Sequence, residues 1–399
     1  MNLSKLDPRK VLERASEHIF STGVEDSATA LCRANMQFGL AKMHLMQEHL
    51  GAMPDATFIS SPDETITRNE GRWNQGIGYG GNISWGPGKE KLTVLDVKPN
   101  ACGMLVGGIE SVPDPKNLLK AIYNFEKEDT YIKNVKVKWD FNKGNHFIDV
   151  FEVESASVKL PKHLVILHAG CPEMKKENDA GPGLYFDESS ALQQVYDRME
   201  TPFGPIYYLE GERAKNYFRF WEFADYFAKK RRELAFNALF GGKVICNRTH
   251  QGLINMNEVG LGCHYVEDFR GIYPFSIRAD LPSYLLRARK NFTKEQIENL
   301  GFSDRAERLG VYGRLRKANL LPHGGGYTFT DSLNVDRIFE VNKLRYFEID
   351  MTDGTGKKIV SDPKEIEYSY RGREVLLKTL GLGMGEEIAS LRPVYTIKV

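Results

Sequence analysis

Five residues in this chain sit in short glycine- or asparagine-flavoured motifs and could do chemistry together. They are Cys102 in NACGM, His146 in GNHF, His168 in ILHAG, His250 in NRTHQ and His323 in LPHGGGY. The chain has nine histidines and five cysteines, so this pattern uses four of the nine. Histidine is the commonest metal ligand and a competent covalent nucleophile. A thiolate bridging two cations, with histidines completing each shell, would make a catalytic metal site. Asp96 or Asp55 could supply a carboxylate oxygen. Two close cations stabilise the attacking and leaving oxygens of phosphoryl transfer. The fourth histidine, His323, precedes Gly324, Gly325 and Gly326. Such a loop exposes backbone N–H groups to an anion.

Taken singly, each motif is ordinary. A lone cysteine is usually a small buried hydrophobe. A histidine at a strand end beside glycine is a better candidate, because glycine lets a ligand approach the backbone. His168 and His250 have that setting, and His146 begins a strand after Gly144-Asn145. His163 and His264 lack it and read as structural, while His18, His44 and His49 fall in the N-terminal helical region.

The elements that must position these residues follow from periodicity. Residues 8–21, 26–50, 114–128, 187–200, 210–240, 331–340 and 372–380 read as helices. In the second, Leu31, Met36, Leu40, Met43 and Met46 form a core stripe. The helix 210–240 carries aromatics on several faces, which predicts that protein encloses it. Its Lys229, Lys230, Arg231 and Arg232 read as a solvated end. Strands are predicted over 91–97, 104–109, 131–139, 146–154, 163–168 and 243–250. The glycine-rich run 70–88 lacks G-x-x-x-x-G-K-[ST] and reads as a turn-rich hairpin or bulged strand. Strands and helices do not alternate as a doubly wound sheet requires. The expectation is one interwoven α+β domain of mostly antiparallel sheets flanked by helices, with an N-terminal helical segment, 1–52, packed on a catalytic domain, 53–399.

Composition narrows the setting. The chain has 399 residues, 41% hydrophobic and 27% charged, which suits a globular fold with a large core. A formal charge of +1 gives no hint of a polyanion partner from the whole-molecule field but leaves room for a local basic groove. Five scattered cysteines without a C-x-x-C pair argue against a disulfide framework and for a reducing compartment. No apolar run approaches a membrane span. A cytoplasmic protein is expected, and a monomer is compatible with this composition.

In order, NACGM, GNHFIDV, ILHAG, a basic aromatic helix, THQ, PHGGG and the terminal Lys398 resemble the RtcB-type RNA-splicing ligases. That family shows a cysteine-glycine strand motif, G-N-H-[FY]-x-E, H-S-G-S-R, an H-N pair, H-G-A-G-R, a penultimate lysine and an upstream M-P-D-V-H. The last is matched by Met53-Pro54-Asp55. The resemblance spans about residues 53–399. It implies a GTP- and Mn²⁺-dependent ligase that joins RNA 3′-phosphate or 2′,3′-cyclic phosphate ends to 5′-OH ends. His323 would carry GMP, and Cys102, His146, His168, His250 and Asp96 would hold two metal ions. Asn145 would contact the GMP phosphate, Asp149 and Lys398 would read guanine, and Gly324, Gly325, Gly326 and Asp55 would complete the nucleotide site.

The chain departs from the family in four places. Pro99 stands where the family has an aspartate three residues before the cysteine, Ala169-Gly170-Cys171-Pro172 replaces S-G-S-R, Tyr327 replaces the arginine of H-G-A-G-R, and Thr57 replaces the histidine of M-P-D-V-H. Two phosphate-gripping guanidinium groups are therefore lost, and Arg248, Arg314 or Arg316 would have to compensate. A thiolate ligand suits Zn²⁺ better than Mn²⁺ by softness, which keeps Zn²⁺, Co²⁺ and Fe²⁺ open. Two other readings stay open: a metal-dependent phosphoesterase or other nucleotidyl-transferase on the same scaffold, and a non-catalytic RNA-end-binding protein.

Overall fold

A computed structural model describes residues 3–141, 144–352, 354 and 356–398. The chain is α+β, built on an eleven-stranded sheet. From one edge its strands run Ile19–Phe20, Thr57–Ile66, Gly78–Ser84, Glu258–Leu261, Lys243–Asn255, Cys102–Ile109, His163–Ala169, Phe147–Ala156, Gly385–Ile397, Ser283–Ala288 and Ile272–Phe275. Every pairing in it is antiparallel except that of Ile19–Phe20 with Thr57–Ile66. Among the described residues no helix is long and apolar enough to cross a membrane.

The helix Gly211–Phe240 lies against the centre of this sheet. Ala214, Tyr217, Trp221, Ala224, Ala228, Arg231 and Ala235 are buried at spacings of three and four, so one stripe faces inward. Glycines in the strands let it sit close. A Cβ on Gly107 would stand 2.0 Å from the Phe236 ring, and one on Gly252 would stand 1.9 Å from Trp221. The second long helix, Ser27–His49, is buried over most of its length, with Leu31, Met36, Leu40, Met43 and Met46 inside. Asp26 caps its start by accepting from Thr29 N at 2.9 Å.

Several expected elements differ. Residues 331–340 form a strand, Ser332–Val341, paired with Leu344–Met351, not a helix. Asn342 and Lys343 both have positive φ, as a two-residue turn of right twist needs, and an Asn-Lys pair signals that turn weakly. The stretch 131–139 is a similar small hairpin, Tyr131–Ile132 with Val135–Lys136, turning on positive φ at Lys133 and Asn134. Over 187–200 only Ser190–Gln193 is helical, and Asp197–Met199 is a strand. The basic run on the long helix is not simply a solvated end. Arg231 and Arg232 are fully buried, while Lys229 and Lys230 are partly exposed.

Candidate metal centre and histidine site

Four adjacent strands bring one residue each to the same end of the sheet. Cys102 opens its strand, His168 lies next to the end of His163–Ala169, and His146 immediately precedes Phe147–Ala156. Met104 pairs with His168, which pairs with Phe147 on its other side. On the remaining neighbour, Thr249 pairs with Gly103 and Gln251 with Cys102, so His250 is the extra residue of a bulge. A bulge re-aims one side chain without ending the strand.

The four side chains converge. Cys102 Sγ is 3.1 Å from His168 Nε2 and 3.4 Å from His146 Nε2. His168 Nε2 is 3.2 Å from His250 Nε2. The donor atoms of Cys102, His168 and His250 lie within 4.8 Å of one another, and this buried group could bind a metal ion. Groups behind the rings set their orientation. His168 Nδ1 donates to the Asn145 carbonyl at 3.0 Å. His146 Nδ1 is 2.8 Å from Asp140 Oδ2. Each Nε2 lone pair is thereby turned toward the thiol, as in carboxylate–histidine–metal arrangements.

The electrostatics fit a cation site. Burial pushes the Cys102 thiol up, but His168, His146 and His250 outweigh burial and hold it well below its usual range. Burial lowers His168 and His250, against the opposing pull of the Cys102 thiolate. For His146, burial is outweighed by Cys102 and Asp140, and the ring is raised to about 10. A thiolate and neutral imidazoles are the forms that bind metal, and a cation would displace the proton that His146 holds in its absence.

His323 stands beside this cluster, its ring centroid 4.3 Å from that of His250. Its backbone N–H donates to Asp63 Oδ2 at 3.1 Å, and its Nδ1 donates to the same oxygen at 2.8 Å. Nε2 is left as the basic nitrogen. The ring lines a cavity of about 360 Å³ shared with His168, Asn145, Asp149, Gly324, Gly325, Gly326 and Lys398. Asp149 is buried and its Oδ1 has no partner. Burial, weakly opposed by Thr396, pushes its carboxyl up to about 7. Lys398 Nζ donates to the Gly144 carbonyl at 2.6 Å. In the glycine loop, Gly325 N is spent on Ser276 O at 3.2 Å, so it is not free for an anion. A Cβ on Gly324 would stand 2.2 Å from that carbonyl oxygen, which explains glycine there.

Two expected carboxylates lie elsewhere. Asp96 is buried with Lys42 Nζ at 3.0 Å and accepts from Tyr207 N at 3.2 Å, so its oxygens are committed and it does not join the cluster. Asp55 is paired with Arg314 at 2.7 Å and accepts from Gln47 at 2.9 Å, and it does not line the cavity. Of the arginines expected to compensate for lost phosphate grips, Arg314 is thus engaged. Arg316 donates to Phe292 O at 3.2 Å, and Arg248 lines a neighbouring cavity with His250.

The residues that sequence reading missed are those behind the site. Asp63 lies in Ser61-Pro62-Asp63-Glu64, inside a strand buried along its whole length. Two acids in such a strand are the signal that could have found it, because a buried charge needs a partner. Arg231 reaches Asp140 Oδ1 at 2.6 Å, Glu173 at 3.1 Å and Gly170 O at 3.0 Å. Arg232 donates to Ala101 O and Ala169 O, both at 3.1 Å, and to Asn247 at 2.8 Å, bracing the strands that carry Cys102, His168 and His250. Neither a scan against protein-family models nor a search of curated proteins found a match for this chain.

Proposed function

We propose that the protein is a metal-dependent nucleotidyl-transferase of the RtcB type, using GTP to join RNA 3′-phosphate or 2′,3′-cyclic phosphate ends to 5′-OH ends. One observation carries this reading: Asp63 fixes the Nδ1 proton of His323 and leaves Nε2 free, beside a Cys/His cluster and in a cavity that also holds Asp149. Nε2 would attack the α-phosphate of GTP, forming an N–P bond as the P–O bond to pyrophosphate breaks. Asp63 would stabilise the positive ring that results, as a buried carboxylate does for a catalytic histidine. GMP would pass to the RNA 3′-phosphate, and the 5′-OH would then displace it. Divalent ions held by Cys102, His146, His168 and His250 would neutralise charge on the phosphates. Mn²⁺ follows from the resemblance, while the thiolate keeps Zn²⁺, Co²⁺ and Fe²⁺ as alternatives. Asp149 Oδ1 is an open acceptor for the N1–H and 2-amino groups of guanine, and Lys398 lies on the same cavity.

The deciding experiment is intact mass after incubation with GTP and each divalent metal, for wild type, His323→Ala and Cys102→Ala. A GMP-sized adduct on wild type alone is expected, and its absence with every metal would remove the reading. A phosphoesterase is the second reading. It is favoured by the scarcity of phosphate grips: among the described residues Arg278 is the one arginine lining the cavity, and Asp280 holds it at 2.9 and 2.8 Å. Phosphatase activity retained in His323→Ala would support it.

A further inference from the structure

The loop Lys98-Pro99-Asn100-Ala101, which delivers Cys102 to its strand, is strained. Lys98 has φ 45° and Ala101 has φ 52°, the left-handed region that residues with a Cβ avoid. Both residues are buried. Lys98 turns its side chain inward, onto Asp187 and the rings of Tyr185 and Phe186. Asn100 Oδ1 accepts from the Cys102 N–H at 3.0 Å.

Arg72, in the short helix Glu70–Asn74, grips this loop from behind and is buried. Its Nε donates to Val97 O at 3.2 Å. Its Nη2 donates to Lys98 O, and to Tyr185 Oη at 3.0 Å. It also reaches Gln251, which stands opposite Cys102 in the sheet, next to the His250 bulge. A guanidinium only donates, so the Gln251 amide turns its oxygen to Arg72, at 2.5 and 3.0 Å. The amide nitrogen then donates to Asn100 Oδ1 at 3.3 Å and to Tyr79 Oη at 2.7 Å. Among the described residues these partners of Arg72 are all neutral oxygens, and no carboxylate pairs with it.

A buried guanidinium without a carboxylate is costly. A strained backbone without glycine persists only where its surroundings over-determine it. The two costs meet at one loop, and what that loop delivers is the thiol of Cys102. We propose that Arg72 is the positioning residue of Cys102: it holds the loop in its strained form and, through Gln251, ties it to the strand that carries His250. Two donors of the cluster, from separate strands, thereby share one brace. The proposal rests on metal binding by this cluster and is independent of nucleotidyl transfer.

The test uses the full chain with Co²⁺, whose bond to a thiolate absorbs in the near ultraviolet. Wild type should show that band, and Cys102→Ala should lack it. Arg72→Met should bind Co²⁺ about 10- to 100-fold more weakly and show a weaker band per bound ion. An arginine that only packs would lower the melting temperature and leave the band alone. Ala101→Gly relieves the strain, because glycine takes positive φ freely. Placed in Arg72→Met, it should recover part of the lost affinity. Gln251→Met leaves Arg72 in the chain and cuts only the tie to the His250 strand. It should cost about tenfold, and it serves alone if Arg72→Met does not fold. Wild-type affinity and band in Gln251→Met or in Arg72→Met would overturn the brace and leave the metal centre standing. A loss in Arg72→Met that Ala101→Gly does not reduce would overturn it too. No Co²⁺ uptake by wild type would remove the metal centre and the brace together. The GTP adduct is read separately, so its absence removes the nucleotidyl-transfer reading and leaves the brace.

Discussion

Asp63 and His323, 260 residues apart, are joined by two hydrogen bonds to a single carboxylate oxygen, one from the ring and one from the backbone N–H. Ser61 Oγ donates to the other oxygen at 2.5 Å. The carboxylate therefore sets both the place of the residue and the tautomer of its ring. Asp63→Asn keeps the shape and loses the tautomer preference. Adduct formation from GTP should slow by on the order of 10² to 10⁴-fold, with the melting temperature changed little. An unchanged rate, read by intact mass over time, would mean that Asp63 only packs.

Removing a donor from the convergent cluster should cost metal affinity. Cys102→Ala, His168→Ala and His250→Ala are each expected to weaken binding of Mn²⁺ or Zn²⁺ by 10²-fold or more, measured by calorimetry. In wild type, metal at about 100 times its Kd should add roughly 2.7 kcal/mol of stability, removable by a chelator. Binding that survives all three changes would place the cation elsewhere.

The chain Arg231–Asp140–His146 makes a prediction about stability. Arg231 is wholly buried and faces Asp140 and Glu173, so deleting it strands two carboxylates out of water. Arg231→Met should destabilise the fold by about 3–5 kcal/mol. Denaturant melts check it, and a loss below about 1 kcal/mol would mean water reaches the pair.

Asp149 gives the ligand-free protein a pH dependence. Burial raises its carboxyl to about 7 in the folded state, above the ordinary carboxylate value. Between those two values the folded chain binds more protons than the unfolded one, so stability falls as pH rises from about 4 to 7 and levels off above. The contribution is on the order of a few kcal/mol. Asp149→Asn should flatten this part of the curve and melt higher than wild type at pH 8. Parallel curves for the two proteins would show the carboxyl to be hydrated.

Gly107 tests the seat of the long helix. An added methyl would overlap Phe236, whose ring would stand 2.0 Å away. Gly107→Ala should cost about 1–3 kcal/mol by overpacking, and Phe236→Leu in the same chain should recover part of it in thermal melts.

By itself the sequence determined the fold class and the reactive residue types. Antiparallel strands are legible because half-buried strands alternate, and Cys102, His146 and His168 stand out because each lies at a strand end close to glycine or asparagine; His250, expected at a strand end, sits instead on a bulge within Lys243–Asn255. What only the tertiary structure decided is partnership. Asp96 and Asp55 each lie near a motif in the sequence, yet Lys42 and Arg314 hold them. Asp63 reaches His323 because their elements meet across the fold, a relation no spacing records. Arg231 and Arg232 read as a solvated helix end because a run of cations usually is one; here the helix turns these two inward, onto carboxylates and carbonyls supplied by distant segments. Local pattern carries period and turn chemistry, whereas the partner of a buried charge is set by which distant segments packing brings together.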